Sequence, residues 1–268
     1  MNMNLARAAI FATVTLVFLA FSLRISASSP LAQALPKSGT AYASAEIRAL
    51  QADDASNPGM LWVANGETLW NAVADGQARS CAQCHGAASV SMKAVATRYP
   101  QMIPTAAVPT LINLEGRINL CRAKHQRTTP LAYESPDLLA LSTFVSHQSR
   151  GLVRRLTINH GNRAYYQRGG AFYHQRMGQM NLACTHCHDQ NAGKTLLAEK
   201  ISEGHPNGYP IYRLEWQGVG SLHRRFRSCL SGIRAEPFVP GGDEYLSLEL
   251  YLAIRAFGLE FETPAVRR

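Results

Sequence analysis

The chain has 268 residues, with 27 Lys and Arg against 18 Asp and Glu, and 46% of it is hydrophobic. That composition can bury a core and excludes a disordered chain, while 20 Gly and 13 Pro exclude collagen-like or low-complexity sequence. The formal charge of +9 suits an anionic partner or substrate, but the basic residues are dispersed, so charge alone selects no class.

In chain order the first expected element is a leader. Arg7 precedes an apolar run over residues 8–23, and Ala32-Gln33-Ala34 is a small-x-small cleavage site. The run is short against the roughly 20 residues that span a bilayer, and Arg24 ends it. Residues 1–34 are therefore expected to be removed on export, leaving a body with a net charge of +7 that works outside the cytoplasm without a membrane anchor. In that compartment six Cys must be oxidised, liganded or otherwise occupied.

Next comes a helix carrying Gly66 and Trp70, four apart on one face. It leads into Cys81-Ala82-Gln83-Cys84-His85. A second copy of this order follows: Gly169, Tyr173, then Cys184-Thr185-His186-Cys187-His188. Cys-x-x-Cys-His attaches a c-type haem, because two thiols at this spacing reach two vinyl groups and the adjacent His lies under the iron. Chance would supply roughly 0.004 such motifs in a chain of this composition. A redox dithiol or a zinc knuckle needs no adjacent His. Two covalent haems are expected, on Cys81, Cys84 and His85, and on Cys184, Cys187 and His188.

Each half then offers a closing helix, over 136–148 after Ser135 as N-cap and over 243–256 before Gly258 as C-cap. Leu141, Phe144 and Val145 match Leu248, Tyr251 and Leu252 at helical spacing. The expected fold is mainly α: two tandem class I cytochrome-c-like units over 35–152 and 153–268, with long haem-enclosing loops and few strands.

The distal ligands are less direct. No Met follows His188, so the second unit has no downstream Met ligand; Cys229, His205, His223 or an open position remain. In the first unit Met92 is close to His85, and Met102 and His125 remain possible. Two spare Cys stand in corresponding places, Cys121 lying 36 residues after His85 and Cys229 lying 41 after His188, each with an Arg four residues earlier. Correspondence points to one thiolate on each iron, the plain alternative being a disulfide between them. Thiolate ligation favours ferric iron and low potentials. Around Cys229 stand His223, Arg224, Arg225, Arg227 and Arg234. Guanidinium groups lower a thiol pKa and grip oxyanions, so this segment reads as an anion site beside reactive sulfur. No aromatic platform accompanies the charge, so nucleic acid is not the expected partner.

The runs Asn207-Gly208-Tyr209-Pro210, Tyr212-Arg213-Leu214, Gly220 to Arg227 with Cys229, Arg234-Ala235-Glu236-Pro237, and the ending Glu262 to Arg267 resemble the SoxA subunits of SoxAX cytochromes. So does Gly178-Gln179-x-Asn181 before the second motif. The resemblance covers nearly the whole body and is densest over 160–267. It implies a periplasmic dihaem subunit paired with a SoxX-type small cytochrome c. The pair would act as an L-cysteine S-thiosulfotransferase, joining thiosulfate to the cysteine of a SoxYZ-type carrier and passing two electrons to a cytochrome c acceptor. It also implies Cys229 as iron ligand and persulfide-bearing sulfur, Arg225 as the contact to substrate anion with Arg234 as a further candidate, and Cys121 as distal ligand of the first haem. The competing readings are a thiosulfate dehydrogenase forming tetrathionate and a plain electron-transfer cytochrome.

Overall fold

The computed structural model describes residues 35–73, 79–105 and 108–268. The expected leader lies outside them. Among the described residues no helix is long and apolar enough to cross a membrane.

Helices dominate. After α1 (Ala45–Ala52) the chain runs through α2 (Met60–Asn71), α3 (Cys81–His85) and α4 (Ala88–Ser91), then a hairpin of β1 (Gln101–Ile103) and β2 (Thr110–Ile112). α5 (Leu114–Cys121) passes directly into a π turn over Arg122–Gln126, and α6 (Pro136–His147) closes this half. The second half repeats the order: α7 (Arg163–His174), α8 (Cys184–His188), a small hairpin of β3 (Thr195–Leu196) and β4 (Glu199–Lys200), then β5 (Ile211–Arg213) and β6 (Gly218–Gly220), α9 (Leu222–Gly232) and α10 (Asp243–Arg255). The last strand, β7 (Ala265–Arg267), runs parallel to β5, so β5 is the middle of a three-stranded sheet.

Two helix crossings organise the cores. Gly66 on α2 sits against the Ala140 carbonyl and Phe144 of α6, where any Cβ would collide with backbone. Gly169 on α7 sits in the same way against Ser247 and Tyr251 of α10. Around the first crossing pack Val63, Trp70, Leu114, Phe144 and Val145; around the second pack Tyr173, Phe226, Leu230, Tyr245 and Leu248. The predicted start of α6 holds: Ser135 accepts the Leu138 N–H at 3.4 Å and Pro136 takes the first helical position, where its missing donor costs nothing. The end of α10 differs from expectation. Ala256 caps the helix, and Gly258, at φ +89°, turns the chain two residues later and gives its N–H to the Arg154 carbonyl.

The helices that end in or near the spare Cys begin alike. A Tyr-Pro pair precedes each hairpin, at Tyr99-Pro100 and Tyr209-Pro210. Asn113 then caps α5 by accepting the Gly116 N–H at 2.9 Å, and Ser221 caps α9 by accepting the Arg224 N–H at 3.1 Å. Each cap lies eight residues before its Cys.

Candidate functional site

The two attachment helices are short and held from both ends. In α3 the Ser80 hydroxyl accepts the Gln83 N–H while the Gln83 carbonyl accepts the Ser80 N–H at 2.9 Å, a reciprocal cap. In α8 the His186 ring takes the second of these roles, its Nδ1 accepting the Ala183 N–H at 3.0 Å. The aromatic four residues after each crossing Gly reaches the residue that follows the motif: Trp70 Nε1 donates to the Gly86 carbonyl at 3.2 Å, and the Tyr173 hydroxyl donates to Asp189 at 2.8 Å. Arg255 of α10 joins the second contact, donating to the same Asp189 oxygen at 2.8 Å and lying 4.4 Å over the Tyr173 ring.

His188 is oriented for ligation. Its Nδ1 donates to the Ser202 carbonyl at 2.7 Å, which leaves Nε2 bare for a metal. Gly204, at φ +75°, lies against the ring, and a Cβ there would stand 3.0 Å from His188 Cγ. His205, a distal candidate from the sequence, instead pairs its Nε2 with Glu203 at 3.1 Å.

Opposite His188 comes Cys229. The hydrophobic face of α9, Leu222, Phe226 and Leu230, is buried, which turns Arg225 and Cys229, one turn apart, to another side. The Cys229 residue is exposed. Desolvation of its thiol alone would raise the pKa. Contact with His188, then the Arg225 and Arg213 guanidinium groups, brings it down to about 7, so the thiolate is available near neutrality. Cys184 has no such company: burial, and then the nearby Cys229, push its thiol up to about 12. Burial works against the charge on Arg225, and Cys229 more than offsets it.

Arg213, on β5, drew no role from the sequence. It is buried, it lies close enough to act on Cys229, and its Nε has no acceptor. Its signal was its place in the family-like run Tyr212-Arg213-Leu214; its Nη1 donates to Glu215 and to the Arg268 carbonyl, at 3.2 and 2.8 Å. The other basic residues separate. Arg224 stacks 4.4 Å over Trp216, Arg227 is exposed, and Arg234 is exposed with its guanidinium 3.4 Å from the Gln179 carbonyl.

At the first motif Cys81 is packed into the core, and burial raises its pKa, moderated by Gln126 and Arg122. Cys121 lies near enough to act on it. Cys81, Arg122, Gln126, Leu69, Leu131 and Leu141 line one cavity, and the buried Arg122 Nε has no acceptor there. Met102 packs instead with Leu111, Leu246 and Leu250, and His125 is exposed.

These residues fit haem c. Each motif gives two thiols and an imidazole on one short helix, His188 has its Nε2 free, a thiolate-capable sulfur faces it, and an unpaired buried guanidinium N–H stands at each site to meet an acidic group.

Comparison with known proteins places the chain among cytochromes c. Residues 65–153 match the family model described as SoxA/TsdA, cytochrome c domain. The chain is 39% identical over 232 residues to the L-cysteine S-thiosulfotransferase subunit SoxA of Pseudaminobacter salicylatoxidans, covering 86% of this chain and 80% of the relative. It is 33% identical to the SoxA subunit of Paracoccus pantotrophus, over 86% of this chain and 78% of the relative. The crystal structure of SoxXA from P. pantotrophus superposes with a TM-score of 0.82 at 32% identity, covering 87% of both chains. The chain belongs to the SoxA family, cytochrome c subunits of L-cysteine S-thiosulfotransferase that carry covalently bound haem c.

Proposed function

We propose that this chain is a periplasmic dihaem subunit whose Cys229 is the sulfur at which thiosulfate is joined to a carrier cysteine. The body then consists of two cytochrome-c-like units, with boundaries near 35–152 and 153–268. Cys81, Cys84, His85 and Cys121 hold one haem, and Cys184, Cys187, His188 and Cys229 hold the other. The two helix crossings and the two identically spaced capped helices support this division. A SoxX-type cytochrome is the partner, by likeness to the SoxXA complex of P. pantotrophus, and a SoxYZ-type carrier is the protein substrate.

The observation that carries the reading is Cys229 on α9, against His188 and under two guanidinium groups. When bound, the haem there supplies acceptance of electrons, which a cytochrome c acceptor finally takes. The chain's own residues do the rest. Arg225 and Arg213 hold the thiosulfate dianion and keep the Cys229 sulfur ionised. Cys229 links to the outer sulfur of thiosulfate, and the carrier thiol displaces Cys229 from that sulfur. In sum a carrier thiol and thiosulfate become a carrier thiosulfonate, releasing two electrons and one proton. Arg234 belongs to the rim of this site rather than to its centre, because its guanidinium is directed to Gln179.

The test is the intact mass of the carrier after incubation with this subunit, its partner, thiosulfate and oxidised cytochrome c. The expected result is one added thiosulfonate group, lost in Cys229→Ala with both haems still attached, and weakened chiefly through KM in Arg225→Ala. An unmodified carrier with tetrathionate in solution would establish the dehydrogenase instead. Full loading by Cys229→Ala would overturn the role of Cys229.

A further inference from the structure

The N-terminal ends of α5 and α9 meet around a buried polar cluster that the sulfur chemistry does not use. Glu115 is the second residue of α5 and His223 the second of α9, and each lies six residues before the spare Cys of its helix. Glu249 comes from α10. Glu115, Glu249 and Arg154 line one internal cavity with Tyr99, Tyr209 and Leu222.

The hydrogen bonds assign the protons. The Gly241 N–H donates to His223 Nδ1 at 3.0 Å, so the ring proton is on Nε2. That Nε2 stands 3.0 Å from Glu249 Oε2, off the line of its N–H, and the side chain of His223 is only 2% exposed. Asn113 Nδ2 donates to the same oxygen at 3.2 Å, and the Tyr133 hydroxyl donates to Asn113 at 3.0 Å while its ring stacks on His223. Glu249 thus takes one hydrogen bond, from Asn113, with the His223 ring beside it. No side chain among the described residues donates to the Glu115 carboxyl, which takes a hydrogen bond from its own backbone N–H. Burial, and then the charge of Glu249, push its pKa up to about 7. Around them stand Arg154, whose Nη1 donates to the Tyr99 carbonyl at 2.6 Å and whose Nε has no acceptor, and Glu134, whose buried oxygens have no partner. Tyr245 of α10 packs on His223, and Tyr209 completes the titratable groups on the cavity wall.

We propose that Glu115 and Glu249 form a site for one proton between the two Cys-bearing helices, and that this proton is bound more tightly when a haem held by either helix is reduced. The inference rests on the thiolate ligation proposed above. Six residues of α-helix place Glu115 about 9 Å along the axis from Cys121, and His223, which touches Glu249, about 9 Å from Cys229. At that range and an effective dielectric near 20, one added electron tightens proton binding by about twentyfold. One electron arrives on the iron and one proton comes from bulk water to the carboxylate, so the buried charge is unchanged. Reoxidation by the cytochrome acceptor returns both.

The test is a spectroelectrochemical titration of the haem-loaded complex between about pH 6 and 8. The midpoint potential is expected to fall as pH rises, and Glu115→Gln and Glu249→Gln are each expected to flatten that slope, whereas the exposed Glu46→Gln keeps it. In the native protein the reduced-minus-oxidised infrared spectrum is expected to gain a protonated carboxyl C=O band, which needs no variant to fold. A potential independent of pH, a slope that survives both substitutions, or an infrared difference without that band would each overturn the proposal. A purified protein without two haem equivalents, or without the thiolate spectrum, would instead overturn the ligation on which it rests.

Discussion

Gly169 is the residue on which the second helix crossing depends. A methyl group there meets the Ser247 carbonyl and Tyr251 Cβ, and backbone cannot swing aside as a long side chain can. Gly169→Ala is expected to destabilise the haem-loaded protein by about 3 kcal/mol in denaturant unfolding. Gly232, at the end of α9, has nothing within 4 Å of its would-be Cβ, so Gly232→Ala is expected to be neutral or to stabilise by about 0.5 kcal/mol. Glu115 makes stability depend on pH. Its folded pKa stands above the ordinary carboxyl value because of burial and then Glu249, so the folded form holds a proton that the unfolded chain has already lost. Its favourable contribution is full below the ordinary carboxyl range and lost as pH rises through about 7. Unfolding measured between about pH 5 and 8 is expected to show a smaller loss of stability in Glu115→Gln than in the native protein. An equal loss in both would assign the dependence to another group.

At the level of elements, α9 carries both the packing and the chemistry. Its amphipathic pattern puts Leu222, Phe226 and Leu230 in the core, and Ser221 satisfies the Arg224 N–H at its start. Ser221→Ala removes that cap and is expected to cost about 1 kcal/mol, with faster amide exchange in the first turn of α9 and haem content unchanged. Asn113 plays the same part for α5 and also binds Tyr133 and Glu249, so its cap is tied to the buried cluster as well. The crossing helices α2, α6, α7 and α10 were legible from the sequence through their Gly-aromatic pairs and apolar stripes, whereas α5 and α9 were read only as the surroundings of Cys121 and Cys229. The strands were not: β1, β2, β5 and β6 have three residues each, too few for a period to emerge. Nor was the π turn after Cys121, which depends on how Gln126 is drawn in to the Arg79 carbonyl and Cys81.

Across the whole body, the ends of the described chain close it. β7 pairs with β5, Ala265 and Val266 are fully buried, and α1 packs Ile47 and Leu50 on the same cluster. Arg267 then donates to Gln51 and Thr40, at 2.7 and 2.9 Å. Removing residues 265–268 leaves β5 with a bare edge and deletes the buried Val266, whose burial alone is worth about 2 kcal/mol. That truncation is expected to lower the unfolding midpoint and to open residues 39–52 to limited proteolysis; unchanged resistance there would show that β7 is dispensable. β5 also carries Arg213, so the sheet that closes the body sets one wall of the sulfur site.

The two attachment motifs, their proximal His, the crossing glycines and the matched Cys121 and Cys229 all belonged to the sequence, because covalent attachment and helix crossing demand particular residues at short, fixed spacing. The approach of Arg213 to Cys229, the direction of Arg234 away from it, the tautomer of His188 and the meeting of Glu115, His223 and Glu249 were decided by tertiary structure. These pairs are distant along the chain, and their contact follows from how hairpins and helices stack. A charge's effect falls with distance and with water between. Only folding, by removing that water, brings residues that read as a dispersed basic surface close enough to act on Cys229 and gathers Glu115 and Glu249 on one cavity.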